Sequence, residues 1–162
     1  MVILGLDPGT ATTGYGVIRV PKKNVFELVA YGTIETSKDK AQSDRLVLLQ
    51  KSLAALLKKY GPDAVAVERL YFFKNLKTVM PVSEARGVIL FTLASLKFRL
   101  FEFTPLQVKM ALTGYGRADK KQMQKMAQMN LRLEKLPKPD DAADALCLAI
   151  TCSLAMRGTY GT

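Results

Sequence analysis

The segment that most constrains this chain is Val2-Ile3-Leu4-Gly5-Leu6-Asp7. Its apolar residues are successive, not alternate, so the strand it predicts is buried on both faces and lies inside a sheet with layers on either side. The run ends on a carboxylate, Asp7, followed by the turn residues Pro8-Gly9-Thr10. The sequence after this strand must therefore supply more strands beside it and helices above and below.

The order of elements supplies them. Residues 15–20 and 25–36 read as two further strands joined through Pro21-Lys22-Lys23-Asn24, an antiparallel unit with the first. Leu46, Leu49, Leu53, Leu56, Leu57 and Tyr60 fall at helical spacing over 43–60, and Gly61-Pro62 stops that helix. Ala64-Val65-Ala66-Val67-Glu68 is a short buried strand, and Arg69 to Lys77, mixed aromatic and basic, reads as a loop. A helix over 78–98 tolerates Pro81 near its start, and Leu100–Phe103 is a fifth strand. Thr104 caps a helix from Pro105 to Leu112, another spans 118–132, and Leu136-Pro137-Lys138-Pro139 is a stiff linker. Asp140 or Asp141 caps a last helix to Met156. The prediction is an α/β chain with a mixed five-stranded sheet, three antiparallel strands then alternating β and α, helices on both faces, and one domain over 1–162. This is the ribonuclease H-like order.

Composition removes much chemistry. The 162 residues contain no His and two cysteines. That excludes imidazole bases, Ser-His-Asp and Cys-His hydrolases, His-ligated zinc and a disulfide framework. No apolar run approaches the roughly 20 residues of a membrane span, and the amino terminus lacks a signal peptide's basic flank, so the expected compartment is the cytoplasm, with no membrane partner. The formal charge of +10 is uneven: residues 97–138 hold ten basic and three acidic groups, whereas 139–162 hold one basic and three acidic. A basic stretch beside an acidic cluster suggests polyanion binding next to a carboxylate site; the plainer reading is surface Lys that keeps the chain soluble.

The acids that stand out are Asp7, Glu68, Asp141 and Asp144. Asp7 and Glu68 end two apolar strands, and Asp141 and Asp144, at i and i+3, share one face of the last helix. Singly, each has an ordinary explanation: a turn, a solvated strand end, a helix cap. Together they form a carboxylate cluster that makes sense with divalent cations. Oxygen ligands without imidazole or thiolate select Mg²⁺ or Mn²⁺, and two such ions about 3.5–4 Å apart suit phosphodiester hydrolysis.

These residues sit in a recognisable series: Ile3-Leu-Gly-Leu-Asp-Pro-Gly-Thr10, Gly14-Tyr-Gly16, Ala66-Val-Glu-Arg69, Glu84-Ala-Arg-Gly87, Thr104-Pro-Leu-Gln-Val-Lys109, Gly114-Tyr-Gly-Arg-Ala-Asp-Lys120 and Pro139-Asp-Asp-Ala-Ala-Asp-Ala-Leu146. In this order, over nearly the whole chain, they resemble the RuvC-type Holliday-junction resolvases. The resemblance implies an endodeoxyribonuclease of recombination and repair. It would nick four-way junctions in symmetric pairs and leave 5′-phosphate and 3′-hydroxyl ends. It implies that Asp7, Glu68, Asp141 and Asp144 are catalytic metal ligands for two Mg²⁺ ions, with Mn²⁺ as a substitute.

It places Lys109 and Lys120 by the active site and the DNA backbone, where the residues alone read as solvated helix lysines. Tyr71 falls where the family has a wedging aromatic, with Phe72, Phe73 and Asn75 adjacent; Lys77, Arg117 and Lys121 complete the DNA-binding set. The implied partners are junction DNA, a second copy of the chain and the RuvA-RuvB branch-migration complex. Val79, Met80, Val82, Val88, Leu90 and Phe91 offer a homodimer face or pack on the sheet, and a helix this long has room for both. Where many relatives carry His in the final helix, this chain has Cys147 to Cys152, which read as buried small residues, and Met123, Met126 and Met129 read as ordinary packing. Two alternatives stand beside the resemblance: an actin-like or sugar-kinase-like ATPase, which needs a second lobe, and an RNA-processing nuclease or non-catalytic binding module on the same fold.

Overall fold

The structure is a computed structural model that describes residues 1–9, 11–69 and 76–158, with the backbone alone at 76–78 and 157–158. The strands β1 (Val2–Asp7), β2 (Thr12–Lys22) and β3 (Val25–Glu35) form the antiparallel unit. Helix α1 (Gln42–Tyr60) leads to β4 (Ala64–Glu68), and α2 (Leu76–Ser95) leads to β5 (Leu100–Phe103). The chain ends in α3 (Pro105–Thr113), α4 (Lys120–Leu131) and α5 (Asp140–Gly158). The strands form one sheet in the order β3-β2-β1-β4-β5, with β4 parallel to both β1 and β5. β1 is central, as its unbroken apolar run demands.

Pleating sorts each strand between two cores. On β1, Leu4 and Leu6 face a core with Leu49, Leu53 and Leu57 of α1 and Ala85, Ile89 and Leu93 of α2. Ile3 faces the opposite core, with α3, α4 and α5. Side chains two apart share a face, so Ile3, Gly5 and Asp7 point to the α5 side, and so do Ala64, Ala66 and Glu68. The alternation that buries these strands thus aims both of their terminal acids at one helix.

That helix is unusual in being apolar all round. Every residue from Ala145 to Ser153 is buried, because the sheet covers one side of α5 while α3 and α4 lie over the other. It also lies close to the sheet. A Cβ at Gly5 would stand 1.9 Å from the Ala145 carbonyl oxygen, and one at Gly14 would stand 2.0 Å from that of Asp141. Hydrogen at these positions is what lets the helix backbone touch the strands.

Local signals set the ends. Gly61 and Gly114 close α1 and α3 in the left-handed conformation (φ 50° and 68°). Thr104 with Gln107, and Asp119 with Gln122, form reciprocal capping boxes that start α3 and α4.

Two expectations need correction, and a third resolves both ways. Lys77 is not in a loop: α2 begins at Leu76, so Pro81 is the sixth residue of the helix. The stretch ahead of Pro81 lacks the periodicity that would have marked it as helical. Met129 does not pack; it is 61% exposed, since the inward stripe of α4 is Met123, Ala127 and Leu131. The face of α2 divides: Ala85, Ile89 and Leu93 pack inward, Val79, Val82, Val88 and Leu90 are half-buried, and Met80 and Phe91 stand 72% and 71% exposed.

Candidate active site

Asp7 and Glu68 end neighbouring parallel strands, and one step beyond the Leu6–Val67 pairing sets them side by side. Their carboxyl groups share a hydrogen bond. Burial pushes the Asp7 carboxyl well above the usual range, and the charges of Glu68, Asp144 and, more weakly, Asp141 push the same way. Burial also raises Glu68, although the bond from Asp7 works against the shift. The two carboxyl groups therefore resist ionising together and titrate as a pair. Asp144, one turn into α5, is raised by burial despite the cation of Lys120.

Lys120 opens α4 directly across from these acids. Its Nζ lies 3.2 Å from Asp140 and 3.7 Å from Asp144. Burial alone would lower its pKa, but the bond to Asp140 and the Asp144 charge outweigh that and keep the ammonium protonated. Gln124, one turn along α4, donates to Asp140 at 2.6 Å. The sequence marks Asp140 only as a candidate helix cap and gives no sign of Gln124, because their partnership joins two helices.

Glu68, Lys109, Lys120 and Asp144 line one cleft of about 210 Å³, floored by Val108, Met123, Cys147 and Leu148. The cleft thus brings together two of the four acids and both of the lysines expected beside them, with Asp7 and Asp141 in electrostatic reach. Arg117 is exposed between α3 and α4. Lys121, one residue and about 100° round the helix from Lys120, instead lines a neighbouring groove with Tyr115, Gln122 and Lys125. The backbone of Lys77 is in the first turn of α2, while Tyr71, Phe72, Phe73 and Asn75 lie outside the described residues.

The donor set suits a hard divalent cation. Crowded, partly desolvated carboxylates resist ionising together, and a cation between them removes that resistance. Burial pushes the Cys147 thiol up to about 12, so at neutral pH it offers no thiolate to a softer metal. No three acids among the described residues close into a ready cage. Ionised, they would move apart or gather round a cation.

A pH dependence follows. Raised folded-state pKa values mean that the folded metal-free protein holds more protons than the unfolded chain, so its stability falls as pH rises through those values. The melting temperature in EDTA is expected to climb as pH is lowered from neutral toward the ordinary carboxylate range, and saturating Mg²⁺ is expected to flatten that trend. A melt series in EDTA and in Mg²⁺ checks both; parallel curves would refute the mutual repulsion.

A mixed sheet with acids on adjacent central strands facing the acidic start of a buried helix defines a metal-dependent nuclease of the ribonuclease H-like class. Comparison with known proteins gives the family. The family model described as crossover junction endodeoxyribonuclease RuvC matches residues 3–152. The chain is 53% identical over 150 residues to the RuvC of Syntrophomonas wolfei, covering 93% of this chain and 87% of the relative. It is 52% identical over 149 residues to that of Petrotoga mobilis, covering 92% and 91%. The structure of Thermus thermophilus RuvC in complex with a Holliday junction substrate superposes with a TM-score of 0.92 at 30% identity, covering 98% of this chain and 96% of that one. The chain belongs to the RuvC family of crossover junction endodeoxyribonucleases, and its activity class is that of a metal-dependent nuclease.

Proposed function

We propose that this chain is a single-domain protomer of a homodimeric resolvase that nicks four-way DNA junctions in symmetric pairs. The observation that carries the reading is the convergence of Asp7 and Glu68 from adjacent strands on Asp144 at the start of α5, with Lys109 and Lys120 at the rim. Asp7, Glu68, Asp141 and Asp144 would hold the metal, and Mg²⁺, two ions to a site with Mn²⁺ as substitute, suits their oxygens. When bound, such ions activate the attacking water and neutralise charge on the leaving oxygen.

The chain's own groups do the rest. Lys109 and Lys120 present ammonium groups to the scissile phosphate, where negative charge grows in the transition state. Asp140 keeps Lys120 at that rim. The water oxygen forms the new bond to phosphorus, the bond to the 3′-oxygen breaks, and a proton ends on that oxygen, leaving 5′-phosphate and 3′-hydroxyl ends. No covalent protein intermediate is required, which agrees with a chain without His.

Arg117 and Lys121 extend the basic surface along the duplex arms, Lys77 would add a phosphate contact, and Tyr71, with Phe72 and Asn75 near it in sequence, would stack on a base at the branch point. Met80 and Phe91 on α2 form the proposed dimer face, which sets two sites against two strands. Among the described residues no helix is long and apolar enough to cross a membrane, and we place the activity in the cytoplasm, where the RuvA-RuvB complex would meet it.

The deciding experiment incubates the purified protein with a synthetic four-way junction, a linear duplex and a structured RNA, with Mg²⁺ or EDTA. Symmetric nicks in opposite strands of the junction, with Mg²⁺ alone, are expected. Preferential cutting of the RNA would overturn the substrate. Phe91→Asp should yield monomers that nick singly, read by sedimentation and by the ratio of paired to single nicks. Junction affinity should fall steeply with salt, as counterion release requires.

A further inference from the structure

Glu68 is a strand-end residue, and the pairing pattern leaves its backbone one donor short. Val65 of β4 and Arg69 just past it donate to the carbonyls of Arg99, just ahead of β5, and Phe103, at its end, so the odd residues of β4 bond to β5 and the even ones to β1. In the register that pairs Leu6 with Val67, the N–H that would next reach the Glu68 carbonyl belongs to residue 8. Residue 8 is Pro8, which has none. The turn that ends β1 after Asp7 therefore strips a ladder bond from the neighbouring acid.

Arg86 of α2 fills the gap. Its Nε donates to the Glu68 carbonyl at 3.2 Å, and its Nη2 is paired with the Glu102 carboxylate of β5. Arg86 and Glu102 are only 20% and 24% exposed, so this pair is sheltered from water. Glu102 also accepts the guanidinium of Arg69 at 3.5 Å. One carboxylate thus anchors two arginines, one gripping the carbonyl of Glu68 and one following it in the chain.

We infer that Arg86, anchored by Glu102, is a positioning residue that fixes the strand end carrying Glu68 and so sets the affinity of the site for its metal. The inference rests on the proposed role of Glu68 as a ligand. The planar fork is essential: Nε serves the carbonyl while Nη2 serves the carboxylate, and a Lys has one donor centre for both tasks. Groups of this kind behind a ligand are worth about 10–100-fold in metal affinity or activity.

The test compares Arg86→Gln, Arg86→Lys and Glu102→Gln with the parent, using Mg²⁺ alone as the probe. The first readout, without DNA, is the Mg²⁺ concentration at half of the metal-induced rise in melting temperature. The second is the Mg²⁺ concentration for half-maximal junction cleavage, and the third is junction binding in EDTA. Arg86→Gln is expected to raise both Mg²⁺ midpoints about 10-fold or more, with excess Mg²⁺ restoring much of the rate and binding in EDTA unchanged. Arg86→Lys should resemble Arg86→Gln, because charge without the fork does not suffice.

A folded Arg86→Gln with the parent's Mg²⁺ midpoints, whatever its melting temperature, overturns the inference. Loss of junction binding in EDTA overturns it too, since Arg86 would then be a DNA contact. Should Arg86→Gln fail to fold, Glu102→Gln decides on the same readouts. A parent that is stabilised by Mg²⁺ but cuts no junction overturns the substrate reading and leaves Arg86 decided by the DNA-free midpoint.

Discussion

Replacing Asp7 by Asn is expected to lower junction cleavage about 10³-fold while leaving junction binding in EDTA within a factor of two of the parent. The change keeps the shape of the side chain and removes an ionisable group whose carboxyl burial and the neighbouring acids push well above the usual carboxylate range. Binding should survive because it depends on Lys and Arg meeting phosphate, and Asp7 adds nothing to that. The same substitution should raise the melting temperature of the metal-free protein at neutral pH, since it removes a buried source of repulsion, and should weaken the further rise that Mg²⁺ gives. Opposite signs for activity and metal-free stability mark a functional carboxylate. Single-turnover cleavage and melts in EDTA and Mg²⁺ measure both, and a variant that still cuts at the parental rate would remove Asp7 from the metal site.

The second large effect concerns glycines. Gly5→Ala sets a methyl group 1.9 Å from the Ala145 carbonyl oxygen, and Gly14→Ala sets one 2.0 Å from that of Asp141. Both obstacles are backbone, so no side chain can turn aside; α5 must lift from the sheet. Overpacking of this kind costs about 1–3 kcal/mol, and Gly14→Ala should lose more activity than stability, because it displaces the turn that carries Asp141 and Asp144. Denaturant melts and cleavage rates at a temperature where the variant is fully folded separate the two losses. A Gly14→Ala protein with parental activity would show that the acids tolerate a shifted helix.

Much of this was legible in the sequence because pattern and topology agree. The unbroken apolar runs ending in Asp7 and Glu68 fix two central strands, and the period of two then puts both acids on one face. The i, i+3 spacing of Asp141 and Asp144 places them together at a helix start. What stayed hidden depends on contacts between distant segments. Gly5 and Gly16 read as small residues in strands, and Gly14 as part of the turn between them, until α5 is seen lying on all three. Arg86 and Glu102 are 16 residues apart on different elements, and neither periodicity nor charge counting pairs them. The start of α2 was missed because the residues around Lys77 follow no apolar rhythm. Lys121 was grouped with Lys120 by adjacency, although neighbours on a helix diverge by about 100°.

The placement of α5 between the sheet and the outer helices also bears on how the protein fails. Amides in such a segment exchange with solvent only on global opening, whereas termini and surface helices fray at little cost. Asp7 and Glu68, on the central strands beneath that helix, therefore have no partially open state in which the rest of the molecule survives without them. Such an enzyme is lost by whole molecules, not by gradual loosening of its centre, so the specific activity of a heated sample should track the fraction of chains still folded.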